Sequence, residues 1–128
     1  MERSKILHLK PVFGDERGEI WDIIEGKEIG HIGLITSKKG AKRANHYHEQ
    51  SIQYTFIISG KAEWYTKDLD IPDAQVEKVV LNPGDLTIVQ PRVAHALVAL
   101  EDTLFLDFTN LSRESDGYEK DTKRIQIV

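Results

Sequence analysis

Histidine is the side chain of this 128-residue sequence best suited to chemistry near neutral pH, and two of its five histidines, His46 and His48, stand two apart in RANHYHEQ. Successive side chains on a strand point to opposite faces, so this spacing directs both imidazoles to one side. Imidazole is the commonest metal ligand and also exchanges protons close to pH 7, so a face carrying two of them suits either task. For an isolated His-x-His, the plainer reading is a pair of solvated surface residues. Glu49 and Tyr47 neighbour these histidines and should face the other way, while His8 and His31 have no partner at useful spacing. Cysteine is absent, so there is no disulfide framework, and any metal must be held by nitrogen and oxygen.

The elements that must position these residues are short. Apolar and β-branched runs recur along the chain as ILHL, EIWDII, HIGLITS, IQYTFIIS, AEWYT, VEKVVL, LTIV, HALVAL, TLFLDFT and RIQIV. Turn residues separate them, among them Gly40, a hairpin tip at Gly60 and the tight turn Asn82-Pro83-Gly84-Asp85. No window sustains a 3.6-residue period, and SRESDGYEKDTK reads as a loop or a single helical turn. With no repeat, low-complexity tract or linker, residues 1–128 are expected to form one all-β domain. At this length a jelly roll, an open barrel and an immunoglobulin-like sandwich all hide their sheet edges, and the last lacks its Cys-Trp-Cys pattern here.

Charge narrows the partners. Seventeen Lys and Arg against 21 Asp and Glu give a formal charge of -4, too acidic for a general nucleic-acid binder. Lys38, Lys39, Lys42 and Arg43 form a basic island, either a solvated loop or a seat for a small anion. The N-terminus has no apolar stretch of signal-peptide length and no run could cross a bilayer, so a soluble, cytoplasmic protein with no membrane partner is expected.

Reading forward from Gly40, the chain shows His46, His48, Gln53 and Gly60 at spacings that resemble the first signature of the cupin superfamily. GDLTIVQPRVAH places Gly84, Pro91 and His95 where the second cupin signature has its Gly, Pro and third histidine. The resemblance spans Gly40 to about Ala99. It implies a double-stranded β-helix, an RmlC-like jelly-roll barrel in which His46, His48, Gln53 and His95 converge on one divalent metal ion such as zinc, iron, nickel or manganese. Two positions depart from the pattern: Gln53 replaces the usual Glu, and Val93 replaces a Gly. Three imidazoles and an amide leave the ion's charge uncompensated, so weaker binding than with a carboxylate is expected.

Two further segments resemble a narrower group. FGDERGEIWDI, with Asp15, Arg17 and Gly18, is similar to the opening of nucleotide-sugar epimerase and ketoisomerase cupins. KRANHYH is similar to the epimerase cupin domain of capsular-polysaccharide enzymes, matching at Arg43, Asn45, His46, Tyr47 and His48, with Ala44 in place of Gly. This implies an epimerase or ketoisomerase acting on a nucleotide-activated 4-keto-sugar in polysaccharide biosynthesis. Such chemistry removes a proton beside a carbonyl, with His46 or His48 as base, and needs cations for the diphosphate, with Arg17, Lys42 and Arg43 as candidates. The acid cannot be assigned among Tyr47, Tyr54, Tyr65 and Tyr118, and Asp107 could orient a histidine or lie at the surface. A metal-dependent iron dioxygenase and a non-catalytic sugar- or ligand-binding cupin are the alternatives. A homodimer is expected, through a strand over Lys5 to Pro11 that covers a sheet edge.

Overall fold

The computed structural model describes residues 3–128. The strands are β1 (Ser4–His8), β2 (Phe13–Asp15), β3 (Gly18–Ile20), β4 (His31–Ser37), β5 (Lys42–His48) and β6 (Gln53–Ser59). They continue with β7 (Ala62–Asp68), β8 (Glu77–Leu81), β9 (Asp85–Val89), β10 (Val93–Ala99) and β11 (Thr103–Thr109); one short helix, α1 (Gly117–Asp121), precedes β12 (Thr122–Arg124). Two five-stranded antiparallel sheets result, ordered β1-β9-β6-β11-β4 and β12-β5-β10-β7-β8, with β2 and β3 forming a separate hairpin. This is the all-β cupin jelly roll that the two signatures imply.

Alternation explains why these segments pair. Every second residue of β7 is buried, from Ala62 through Trp64 and Thr66 to Asp68. Of these, Ala62 and Trp64 meet Ile57, Leu81, Val89, Val93, Leu97 and Phe105 in the core between the sheets. Each such apolar side chain, fully buried, is worth about 1.5–3 kcal/mol. On β6 the opposite parity, Tyr54 and Phe56, joins Leu86 and Phe108 in a second cluster, against which Trp21, Ile23, Ile24 and Ile29 pack. The run EIWDII is therefore a strand only to Ile20, because its later residues cover a sheet face without pairing along an edge. RIQIV likewise pairs only through Arg124.

Local backbone detail positions β5. Ala44 and Asn45 both adopt positive φ, 68° and 55°, next to a register shift between His95 and Ala96 on β10. Such a bulge bends the strand and re-aims the side chains that follow it, His46 and His48. Asn45 then ties the C-terminal end of the chain down, accepting at Oδ1 from the amides of Ile127 and Val128. The hairpin tip at Gly60 has φ 91°, and an added Cβ there would press on the Asp102 carbonyl oxygen and Thr103.

Candidate active site

His46, His48 and His95 project between the sheets, and all three are buried. His46 and His48 share a face of β5, and His95 lies directly across from His46 on β10. Their ring centroids are 4.7 Å (His46–His95), 4.9 Å (His46–His48) and 5.4 Å (His48–His95) apart. Trp64 stacks against His95 at 5.5 Å and walls the cluster on the core side.

The three rings are held differently. His46 has no hydrogen-bond partner on either ring nitrogen, and Nε2 of His95 has none. His95 Nδ1 faces the Val93 carbonyl at 3.0 Å. His48 is engaged on both sides, by Gln53 Oε1 at 2.9 Å from Nε2 and by Thr122 Oγ1 at 3.2 Å from Nδ1. Asp121, which anchors Ser51 and the Gln50 amide, stands 3.4 Å from His48 Nδ1. Burial, the neighbouring His48 and the charges of Arg124 and Arg113 push His46 down to about 3. Burial also lowers His48, opposed by Gln53 and Asp121, and holds His95 well below the usual range. All three are thus neutral imidazoles near pH 7.

Below them a polar path crosses the opposite sheet. Gln53 Nε2 donates to Thr55 Oγ1 at 3.2 Å, and Thr55 donates to Asp107 Oδ1 at 2.7 Å. Asp107 is buried on β11 directly across from Thr55, and its desolvation raises it to about 6 despite the Thr55 hydrogen bond. A cavity of about 300 Å³ opens over this floor, lined by His46, Gln53, Asp107 and Tyr118, with Arg43, Arg113 and Arg124 around it. Tyr118, from α1, brings its ring centroid to 6.4 Å from both His46 and His48, and Arg113 stacks over that ring at 4.4 Å.

Of the expected site residues, His46, His48, Gln53 and His95 come together and Arg43 reaches the same cavity, anchored to Ser37 Oγ and the Thr36 carbonyl. Lys42 is exposed on β5 and does not line it. Arg17 is not brought there either. It sits at the tip of the β2–β3 hairpin, paired with Asp15 at 2.7 Å, and lines a separate surface hollow. Arg113, Tyr118, Asp121 and Arg124 instead come from the polar C-terminal segment, which carries no apolar periodicity to announce its position. Asp107 did carry a signal, because it shares strand parity with the buried Phe105.

The family described as Polysaccharide biosynthesis C-terminal domain matches residues 13–112. The chain belongs to that family. The match takes in β5, β6, β10 and β11 and ends just before Arg113. Comparison with curated proteins gives no significant match. Among solved structures, the chain resembles dTDP-6-deoxy-D-glucose-3,5-epimerase RmlC from Legionella pneumophila in complex with dTDP-4-keto-L-rhamnose. That similarity covers 100% of this chain and 75% of that one at 18% identity, with a TM-score of 0.83. A doubly substituted QdtA 3,4-ketoisomerase from Thermoanaerobacterium thermosaccharolyticum, in complex with TDP, is 26% identical over 97% of this chain and 88% of its own, with a TM-score of 0.77. A 3,4-ketoisomerase from Helicobacter canadensis is 19% identical over 94% and 90%, with a TM-score of 0.79. The fold is that of the cupin epimerases and ketoisomerases. No helix among the described residues is long and apolar enough to cross a membrane.

Proposed function

We propose that the protein is an epimerase or 3,4-ketoisomerase of a nucleotide-activated 4-keto-sugar, with His46 as the base. The observation that carries this reading is His46 itself, a buried neutral imidazole with both nitrogens unpartnered, lining the cavity. A neutral ring can accept the proton on carbon beside a ketone. Proton transfer leaves an enolate next to the new imidazolium, and this opposite charge offsets the desolvation that disfavours a protonated His46. Tyr118 is the nearest hydroxyl-bearing ring and is the candidate to protonate carbon or oxygen from the other side. His48, engaged on both nitrogens, is an orienting group in this reading and not a second base.

The nucleotide's diphosphate finds its cations in Arg43, Arg113 and Arg124. None of the three pairs with a carboxylate of a described residue, whereas Arg3, Arg17 and Arg92 all do. Unpaired guanidinium groups around one cavity suit phosphate oxygens, which they grip in bidentate fashion. The RmlC and QdtA structures that resemble this chain hold a dTDP-sugar and TDP, which supports the same ligand class here. Incubation with TDP-4-keto-6-deoxyglucose, followed by NMR of the products, tests the proposal. Wild type should yield an epimerised or ketoisomerised sugar and His46→Asn should not; an unchanged sugar with wild type would refute it.

A metal-dependent cupin is the second reading, favoured by the grouping of one ligand atom from each of His46, His48 and His95 within 4.8 Å of one another. The chemistry of the donors fits a divalent ion poorly. His48 and Gln53 spend their facing atoms on each other, no carboxylate belongs to the set, and three arginines border the cavity. A homodimer is also proposed, supported by Ile32 and Leu34 on the edge strand β4, which are 61% and 65% exposed. Sedimentation as a monomer at micromolar concentration would count against it.

A further inference from the structure

We infer that Thr55 and Asp107 are positioning residues that fix the tautomer of His48, acting through Gln53 to keep its proton on Nε2. This inference rests on the acid-base reading of the cavity proposed above. Hydrogen-bond direction along the buried path sets the tautomer. An ionised carboxylate only accepts, so the single hydroxyl proton of Thr55 goes to Asp107 Oδ1, 2.7 Å away. The Thr55 oxygen must then accept from its other neighbour, 3.2 Å distant, which makes that atom the Gln53 amide nitrogen. The Gln53 oxygen is therefore turned to His48 Nε2 at 2.9 Å, and two acceptors cannot share that contact. His48 must carry its proton there, and Nδ1 receives the Thr122 hydroxyl at 3.2 Å.

Without the lock, a different tautomer is favoured. Asp121 Oδ2 lies 3.4 Å from His48 Nδ1, and a carboxylate beside a ring nitrogen draws the proton to it. The buried path from Asp107 outcompetes this by presenting an oxygen at Nε2. The choice matters because His48 packs 4.9 Å from the cavity-lining His46: with its Nε2–H given to Gln53 and its Nδ1 receiving Thr122, neither His48 nitrogen competes for the proton that His46 takes up. It also leaves His46 as the ring on β5 with a free lone pair. The same pattern accounts for glutamine at position 53, since a carboxylate there has no N–H to give Thr55.

The test reads His48 directly. In protein labelled with 15N-histidine, two-bond proton–nitrogen correlation at pH 8 distinguishes the two ring nitrogens without any substrate. Wild type should show His48 protonated on Nε2. Thr55→Val, which keeps shape and removes the hydroxyl, should move the proton to Nδ1 and lower kcat about tenfold, the scale of one misdirected hydrogen bond. Thr55→Ser should restore both, which a merely structural effect would not do. A wild-type Nδ1 proton, or a Thr55→Val spectrum identical to wild type, would overturn the inference; so would stoichiometric zinc binding with His48 Nε2 deprotonated. An enzyme inactive on 4-keto-sugars but showing the switch would sink the catalytic reading alone.

Discussion

Acidification should destabilise this protein through His46, and the size of the effect follows from its burial. The unfolded chain protonates His46 near 6.5, whereas the folded state holds it down to about 3. The unfolded state therefore binds more protons throughout that window, and stability present above pH 6.5 is lost as pH falls through it. Between pH 7.5 and 5.0 the loss from this residue alone is about 2 kcal/mol, rising to about 4 kcal/mol near pH 3. His48 and His95 are lowered too and act in the same direction. Asp107 opposes them: raised from 3.8 to about 6, it is stabilising when protonated and returns about 1.4 kcal/mol over the same interval. Urea unfolding of wild type and His46→Asn at pH 7.5 and 5.0 reads the His46 contribution together with the smaller part of His95's lowering that His46 causes. The variant should lose about 2 kcal/mol less than wild type. Equal losses in the two proteins would refute the claim that His46 is neutral and unpartnered in the folded state.

Replacing Arg113 or Arg124 by Gln should weaken TDP binding about tenfold each by isothermal titration, the scale of one charge-assisted pair in a partly exposed site. Ala44 holds φ 68°, a backbone conformation that favours glycine, so Ala44→Gly should raise stability by about 0.5–1 kcal/mol in thermal unfolding. Gln53→Glu adds the missing carboxylate, and it should bind zinc or manganese more tightly than wild type by metal analysis after dialysis.

How far the sequence disclosed this site depends on how local each signal is. Alternation within seven residues is enough to put His46 and His48 on one face of β5, and the two cupin signatures bring Gln53 and His95 to them from β6 and β10. Gly60 and the Asn82–Asp85 turn mark hairpins because their backbone demands are local. The C-terminal residues obey no such rule. Tyr118 and Asp121 reach the histidines across some seventy positions through a short helix with no buried residue, so no apolar period marks its face. Arg113 reads as one charge among many in a polar segment until its ring contact with Tyr118 is seen. Arg17, conversely, matched a motif whose spacing gave no information about which cavity the hairpin would face.

Solvent exchange measures proton abstraction most directly. TDP-4-keto-6-deoxyglucose incubated with the protein in deuterium oxide should lose the proton signal on a carbon next to its ketone, at a rate set by protein concentration. His46→Asn should reduce that exchange to the background rate while still binding TDP. Retention of the signal with wild-type protein that demonstrably binds TDP would contradict a proton-abstracting role for this cavity, and full exchange in His46→Asn would contradict the assignment of His46 as the base.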